Sequence, residues 1–149
     1  MADSSQVVCP HCGAGNRIPA ERPAIAARCG GCHAALFDAH PVEVDEAGLD
    51  RHLRGNDIPV LVDIWAPWCG PCRVMAPQFE RAAAALEPQL RLLKLNADTA
   101  PDTCARLGVR GIPAMYLFRN GHVVTQTAGA MNADAIVRWA RDGLTTHNQ

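Results

Sequence analysis

Six of the seven cysteines stand in three Cys-x-x-Cys pairs, Cys9/Cys12, Cys29/Cys32 and Cys69/Cys72, and only Cys104 is alone. This spacing constrains the fold more than any other feature. A Cys-x-x-Cys pair demands a tight turn that brings two sulfurs to one point, so each pair marks a metal knuckle, a redox pair or a structural disulfide. The first two pairs are separated by 16 residues. That spacing suits a four-thiolate zinc site, in which two knuckles complete a tetrahedron and no coordination position stays open. The expected metal is therefore one structural zinc per chain on Cys9, Cys12, Cys29 and Cys32. Two disulfides, or two further redox pairs, are the alternatives. His11 and His33 read as bystanders, because four thiolates already suffice.

Residues 1–38 hold both knuckles and much Gly, Pro and Ala, with no helical or strand period long enough to bury a core. A segment of about 40 residues sits near the limit for folding without a metal or disulfides. The expected organisation is a separable four-cysteine module over 1–38 and a second domain over 39–149, the pattern changing at Pro41. There "PVEV" reads as a short strand and "EAGLDRHLRG" as a helix closed by Gly55. "PVLVDIWA" reads as a strand covered on both faces. Met75, Phe79, Ala82, Ala83 and Leu86 recur on one face of a helix starting at Gly70 or Pro71. "LRLLKLNA" is a second apolar strand, and "APDTCARLG" a short helix ended by Gly108. Asn120-Gly121 joins two strands as a hairpin. Asn132 caps a last helix that buries Ile136, Val137, Ala140 and Leu144. The order β-α-β-α-β-α-β-β-α predicts an α/β fold, a mixed sheet with helices on both faces.

Cys69/Cys72 has no partner pair with which to complete a metal site. It follows a strand and opens a helix, where free N–H groups and the helix dipole favour thiolate over thiol. Cys69, at the turn, is expected to be the more exposed and to attack a disulfide. Cys72, one step deeper, then resolves the mixed disulfide. Pro71 suits the first helical turn and stiffens it. Asp63 interrupts an apolar strand, as does Lys94. Asp63 reads equally well as a residue emerging at the strand end or as a buried group tuned for proton transfer, and Lys94 as a solvated lysine or as a group that tunes Asp63. Cys104 reads as an inert buried thiol.

The stretches "LVDIWAPWCGPC", "MAP", "KLNAD", "VRGIPA", "LFRNG" and "GA" resemble the thioredoxin family over the whole second domain. With the four-cysteine module in front, the chain is similar to the zinc-containing bacterial members. The resemblance implies a thioredoxin fold and reduction of protein disulfides in the cytosol. The partners it implies are thioredoxin reductase, which uses NADPH, and disulfide-bearing cytosolic proteins. It further implies Cys69 as nucleophile, Cys72 as resolving thiol, Asp63 as buried acid and Lys94 as its neighbour. By the same resemblance Gly70 and Pro71 are expected to set the redox poise, and Trp68, Ile112, a cis-proline at Pro113, Gly129 and Ala130 to form the substrate groove. Ala114 departs from the family pattern, which has Thr after the cis-proline. Other functions remain open: a zinc-ribbon interaction protein on a thioredoxin scaffold, or an oxidase or isomerase of the same fold.

A formal net charge of −1 and the lack of a Lys/Arg cluster in the module argue against nucleic-acid binding. No stretch approaches the length of a membrane span. "MADSSQVVCPHC" carries no basic start and no apolar run, so the expected compartment is the cytoplasm and the expected state a monomer.

Overall fold

The computed structural model describes residues 4–146. Seven strands and four helices follow one another as β1 (Ser4–Val8), β2 (Gly15–Pro19), β3 (Val42–Val44), α1 (Glu46–Gly55), β4 (Val60–Trp65), α2 (Gly70–Leu86), β5 (Arg91–Asn96), α3 (Pro101–Leu107), β6 (Ala114–Arg119), β7 (His122–Ala128) and α4 (Ala133–Thr146). From β3 onward the order is the one expected. The five strands β3 to β7 form one sheet in the order β3-β5-β4-β6-β7. β3, β5 and β4 run parallel, and β6 and β7 close the sheet antiparallel.

β4 is central because its residues are apolar or β-branched and both faces are covered. Leu61, Leu92, Met115 and Leu117 pack under α2 and α4, with Met75, Phe79, Leu86, Ile136 and Ala140. Val60, Val62, Ile64, Leu93, Leu95 and Tyr116 form the opposite core with Leu49 of α1. The hairpin turns at Asn120 and Gly121, with φ of 54° and 80°. Two consecutive left-handed residues match the right-handed twist of the strands they join. Asn132 caps α4 by accepting the Ala135 N–H at 2.9 Å.

Two expectations are corrected. Gly55 does not close α1 in a left-handed turn; the helix ends into extended Asn56. Its smallness serves packing instead, since a Cβ there would stand 2.5 Å from Cγ2 of Val8. The N-terminal segment also has more structure than its pattern shows. β1 and β2 pair antiparallel, and Val7, Cys9, Ile18, Cys29, Leu36 and Phe37 bury one another. Its strands span five residues each, too few for a period to emerge.

The module is also not loosely tethered. The Val8 N–H donates to Oδ1 of Asn56 at 2.8 Å, and the Gln6 N–H to Oδ2 of Asp57 at 2.7 Å. Asn56 in turn donates to Nδ1 of buried His52 at 2.8 Å. Burial pushes His52 down to about 4, so it is neutral and free to accept that bond. Arg91, fully buried at the start of β5, donates to the carbonyls of Leu36 at 2.7 Å and Val8 at 3.3 Å. Its guanidinium stacks 4.5 Å from the centre of the Phe37 ring and pairs with Glu87 at 3.5 Å.

Candidate active site and metal centre

Cys69 is the N-cap of α2, and its sulfur accepts the Cys72 N–H at 3.2 Å. The local sequence explains this geometry. β4 delivers the chain to the edge of the core at Ala66, and Gly70-Pro71 starts the helix at once because proline is favoured in a first turn. The two cysteines are joined in a disulfide with Cα atoms 5.2 Å apart. The expected difference in exposure is absent: Cys69 is 4% exposed and Cys72 3%. Ala66, Trp65 and Ile112 cover both sulfurs. What distinguishes Cys69 is the helix N–H pointed at its sulfur, a donor placed to favour a thiolate there once the disulfide is reduced.

Around the pair, Ile112 and Pro113 are joined by a cis peptide. The Ile112 carbonyl lies 3.8 Å from the Cys69 sulfur. The Pro113 carbonyl accepts the Gly129 N–H at 2.8 Å, which joins the two loops beside the disulfide. Gly129 has φ of 106°, a conformation open to few other residues, and Gly129 and Ala130 are exposed. Trp68 is 67% exposed beside the cysteines. Its indole N–H donates to both carboxylate oxygens of Asp98, at 3.0 and 3.1 Å. Asp98, in the turn Ala97–Thr99, was not among the residues singled out from the sequence. Asn96 accepts the Asp98 N–H at 2.9 Å, a local turn that holds the carboxylate toward the tryptophan, but nothing near Asp98 in the chain ties it to Trp68. Cys104 is half-buried against the α1–α3 core, with burial raising its pKa.

Asp63 is 1% exposed, and its Oδ1 has no hydrogen-bond partner. It shares the α2 side of β4 with Leu61, beneath the helix face that carries Cys72 and Met75. Burial pushes its carboxyl up to about 7; Lys94, beside it on β5, opposes the shift, and Glu43 adds to it. A buried acid with that affinity exchanges protons near neutral pH. Lys94 is half-buried, with its ammonium 4.8 Å from the centre of the Trp65 ring.

At the other site, the sulfurs of Cys9, Cys12, Cys29 and Cys32 lie within 4.8 Å of one another. The Cys9–Cys32 and Cys12–Cys29 sulfurs are 3.6 and 3.5 Å apart. Zinc–sulfur bonds of about 2.3 Å in a tetrahedron put sulfurs about 3.8 Å apart, so the cluster fits zinc and is far from disulfide contact. The N–H groups of His11 and Cys12 point at Cys9 Sγ, and those of Gly31 and Cys32 at Cys29 Sγ, at 3.3 to 3.5 Å. Asn16 adds a side-chain donor to Cys29 at 3.5 Å. The Cys32 N–H, the Asn16 amide and the Gly31 N–H lower the Cys29 pKa and favour a thiolate there, while Cys12 beside it is pushed up in part by its contact with Cys29, as for two thiols that share one site. Neither His11 nor His33 belongs to the cluster.

Residues 40–142 match the thioredoxin family, and residues 8–34 match the family described as thioredoxin 2, N-terminal. Thioredoxin C-3 of Corynebacterium nephridii is 37% identical over 133 residues, covering 89% of this chain and 91% of that protein. Thioredoxin of Pseudomonas aeruginosa is 42% identical over 93 residues, covering 62% of this chain and 86% of its own. Among solved structures, a mutant thioredoxin from Halobacterium salinarum matches with a TM-score of 0.64 at 30% identity, over 71% of this chain and 92% of that one. The family match spans the sheet and the disulfide, and the second match falls on the four-cysteine segment. The chain therefore belongs to the thioredoxin family of thiol–disulfide oxidoreductases, with the N-terminal zinc-ribbon-like module of the thioredoxin 2 type.

Proposed function

We propose that the chain is a cytosolic protein-disulfide reductase that cycles its Cys69–Cys72 pair between dithiol and disulfide. The observation that carries this reading is the Cys69 sulfur at the N-cap of α2, accepting the Cys72 N–H. In the dithiol form the Cys69 thiolate attacks one sulfur of a substrate disulfide. The S–S bond breaks, a mixed disulfide forms, and the departing substrate thiolate takes a proton from solvent. Asp63, as carboxylate, then accepts the Cys72 proton, and the Cys72 thiolate attacks Cys69 Sγ. The second substrate thiolate leaves and is protonated. The substrate gains two electrons and two protons, and the chain is left as its disulfide. Thioredoxin reductase, drawing on NADPH, returns it to the dithiol. Trp68, Ile112, Pro113, Gly129 and Ala130 line the face over the pair where an extended substrate segment docks, and Gly70-Pro71 sets the redox poise.

Residues 1–38 hold one zinc through Cys9, Cys12, Cys29 and Cys32, and residues 39–149 carry the redox chemistry. When bound, zinc supplies a four-thiolate crosslink that holds the two knuckles together. The reduced pool of the cytoplasm keeps both sets of thiols available. Among the described residues, no helix is long and apolar enough to cross a membrane.

The test is protein-disulfide reduction coupled to NADPH oxidation through a thioredoxin reductase. Cys69→Ser and Cys72→Ser should each abolish turnover, and only Cys72→Ser should accumulate mixed disulfides with substrate. Equal trapping by both variants would refute the assignment of the two thiols.

A further inference from the structure

Glu43 lies on the short edge strand β3, and the cycle described above gives it no part. The sheet register puts it there all the same. Glu43 stands opposite Lys94 across the parallel β3–β5 pair, and Lys94 stands opposite Asp63 across β5–β4. Three ionisable side chains thus occupy one rung on three consecutive strands. They share the face that α2 covers, where the neighbouring positions are Leu61, Leu92 and Met115. Direct contacts tie the outer end of the rung to its middle. The Trp65 indole N–H donates to Oε2 of Glu43 at 3.1 Å, and the Lys94 ammonium rests over that same indole ring. The inner end has no such tie. Asp63 keeps a buried, unpartnered Oδ1 although a lysine stands beside it in register.

We propose that Glu43 is a positioning residue for disulfide exchange: it anchors Trp65, draws Lys94 outward onto the indole, and so leaves Asp63 without an ion-pair partner. This rests on the reading of Asp63 as the proton relay for Cys72. An Asp63 in tight contact with Lys94 would be held as a carboxylate and would be a weak base. With the ammonium held outward and a second anion two strands away, Asp63 keeps an affinity for its proton that matches a thiol exchange near neutral pH. The other groups around the rung are the Cys69–Cys72 pair, at the start of α2 on the helix that covers this face, and the residues that line an open cleft of about 650 Å³ beside Glu43. Besides Glu43, the charged and titratable ones in that cleft are Asp45, Arg51, His52, His11 and the metal-site thiols Cys9 and Cys12.

The test is a carbon-detected NMR titration of the Asp63 carboxyl in the full, zinc-loaded, reduced chain, with the pH–rate profile of disulfide exchange measured beside it. Glu43→Gln keeps an acceptor for the Trp65 N–H and removes the charge; Glu43→Ala removes both. Glu43 and Asp63 are two strand spacings apart, about 10 Å. Losing one charge at that distance, at an effective dielectric of roughly 25–50, moves the Asp63 midpoint down by about half to one pH unit. Glu43→Gln should show that shift, and Glu43→Ala, which also frees Lys94, should show at least as much. The acid limb of the rate profile should move with it. A midpoint unchanged in both variants overturns the proposal, whatever Asp63→Asn does. A midpoint that moves while Asp63→Asn keeps the wild-type rate profile refutes the relay reading, and leaves the hold of Glu43 on Asp63 supported.

Discussion

Arg91→Met tests what holds the N-terminal module to the thioredoxin domain. The wild-type guanidinium is fully buried and serves the Leu36 and Val8 carbonyls and Glu87, with Phe37 over its face. Methionine fills much of the same volume, so the cavity contribution is small. The polar loss is not. Two carbonyls lose a charged donor, at about 1–3 kcal/mol each. Glu87 loses its cation, but burial already pushes it up to about 7, so it takes a proton rather than staying charged. The sum is about 3–5 kcal/mol, the range for breaking a buried pair. The sign with pH follows from Glu87. Its folded pKa lies above its ordinary value, so its contribution is full below about 4.5 and lost as pH rises through about 7. Without Arg91 that pKa rises further, so the penalty should be larger at pH 8.5 than at pH 6. Urea unfolding of the zinc-loaded chain, followed by tryptophan fluorescence and by zinc release, measures both halves. Trp65, Trp68 and Trp139 all lie outside the module, and the metal ligands lie within it. At an m-value of about 2–3 kcal/mol per molar, the fluorescence midpoint should fall by roughly 1–2 M, and zinc release should begin at lower urea. A loss under about 0.5 kcal/mol with zinc release unmoved would refute the claim that Arg91 pins the module.

Asp63→Asn should stabilise the protein at alkaline pH. The folded pKa of about 7 lies above the ordinary 3.8, so the wild type loses stability as pH rises between them, and the variant's advantage should grow by about 4 kcal/mol from pH 4 to pH 8; parallel stability curves would contradict this. Gly55→Ala should cost about 1–3 kcal/mol in urea unfolding, because its Cβ meets Val8. Asp98→Ala frees the Trp68 indole, and should lower kcat/KM several-fold for a protein disulfide while sparing a small aromatic disulfide. Elemental analysis should find one zinc per chain, absent from a Cys29→Ser/Cys32→Ser variant and released from the wild type on acidification, as thiolate ligands protonate.

The parts of this protein that were legible in the sequence are those whose signal is local. A metal knuckle and a redox turn both require their cysteines within a few residues; the presence of a second knuckle nearby, and the strand and helix that flank Cys69 and Cys72, separate the two sites. The sheet from β3 to α4 was legible for the same reason. Apolar runs, the Asn120-Gly121 hairpin and the Gly108 stop each occupy a short window. Trp68 was legible beside Cys69, but Asp98, which orients it, is thirty residues away. Gly55 looked like a helix stop because glycine is common there; its neighbour Val8 is distant in sequence.

Arg91 and Glu43 show why the remainder stayed hidden. In "RLLKLN" an arginine at the start of an apolar strand reads as the solvated end of that strand. It is buried because the carbonyls of Val8 and Leu36, far back along the chain, arrive over it. In "VEV" the alternation sends Glu43 away from its apolar neighbours, and a three-residue edge strand offers no further context. Only the crossover that places β3 beside β5, rather than beside β4, sets Glu43 next to Lys94. Both residues therefore acquire their chemistry from strand order, a property no window of sequence contains. β5 ties the two together: its first residue receives the metal module, and its fourth stands between Glu43 and the acid beneath the cysteines. A strand that must present a cation at both points cannot be the uniformly apolar segment its buried position would otherwise select. The two cations in "RLLKLN" are thus the imprint of two polar partners, one on each side of the strand's length, on a strand that is otherwise all core.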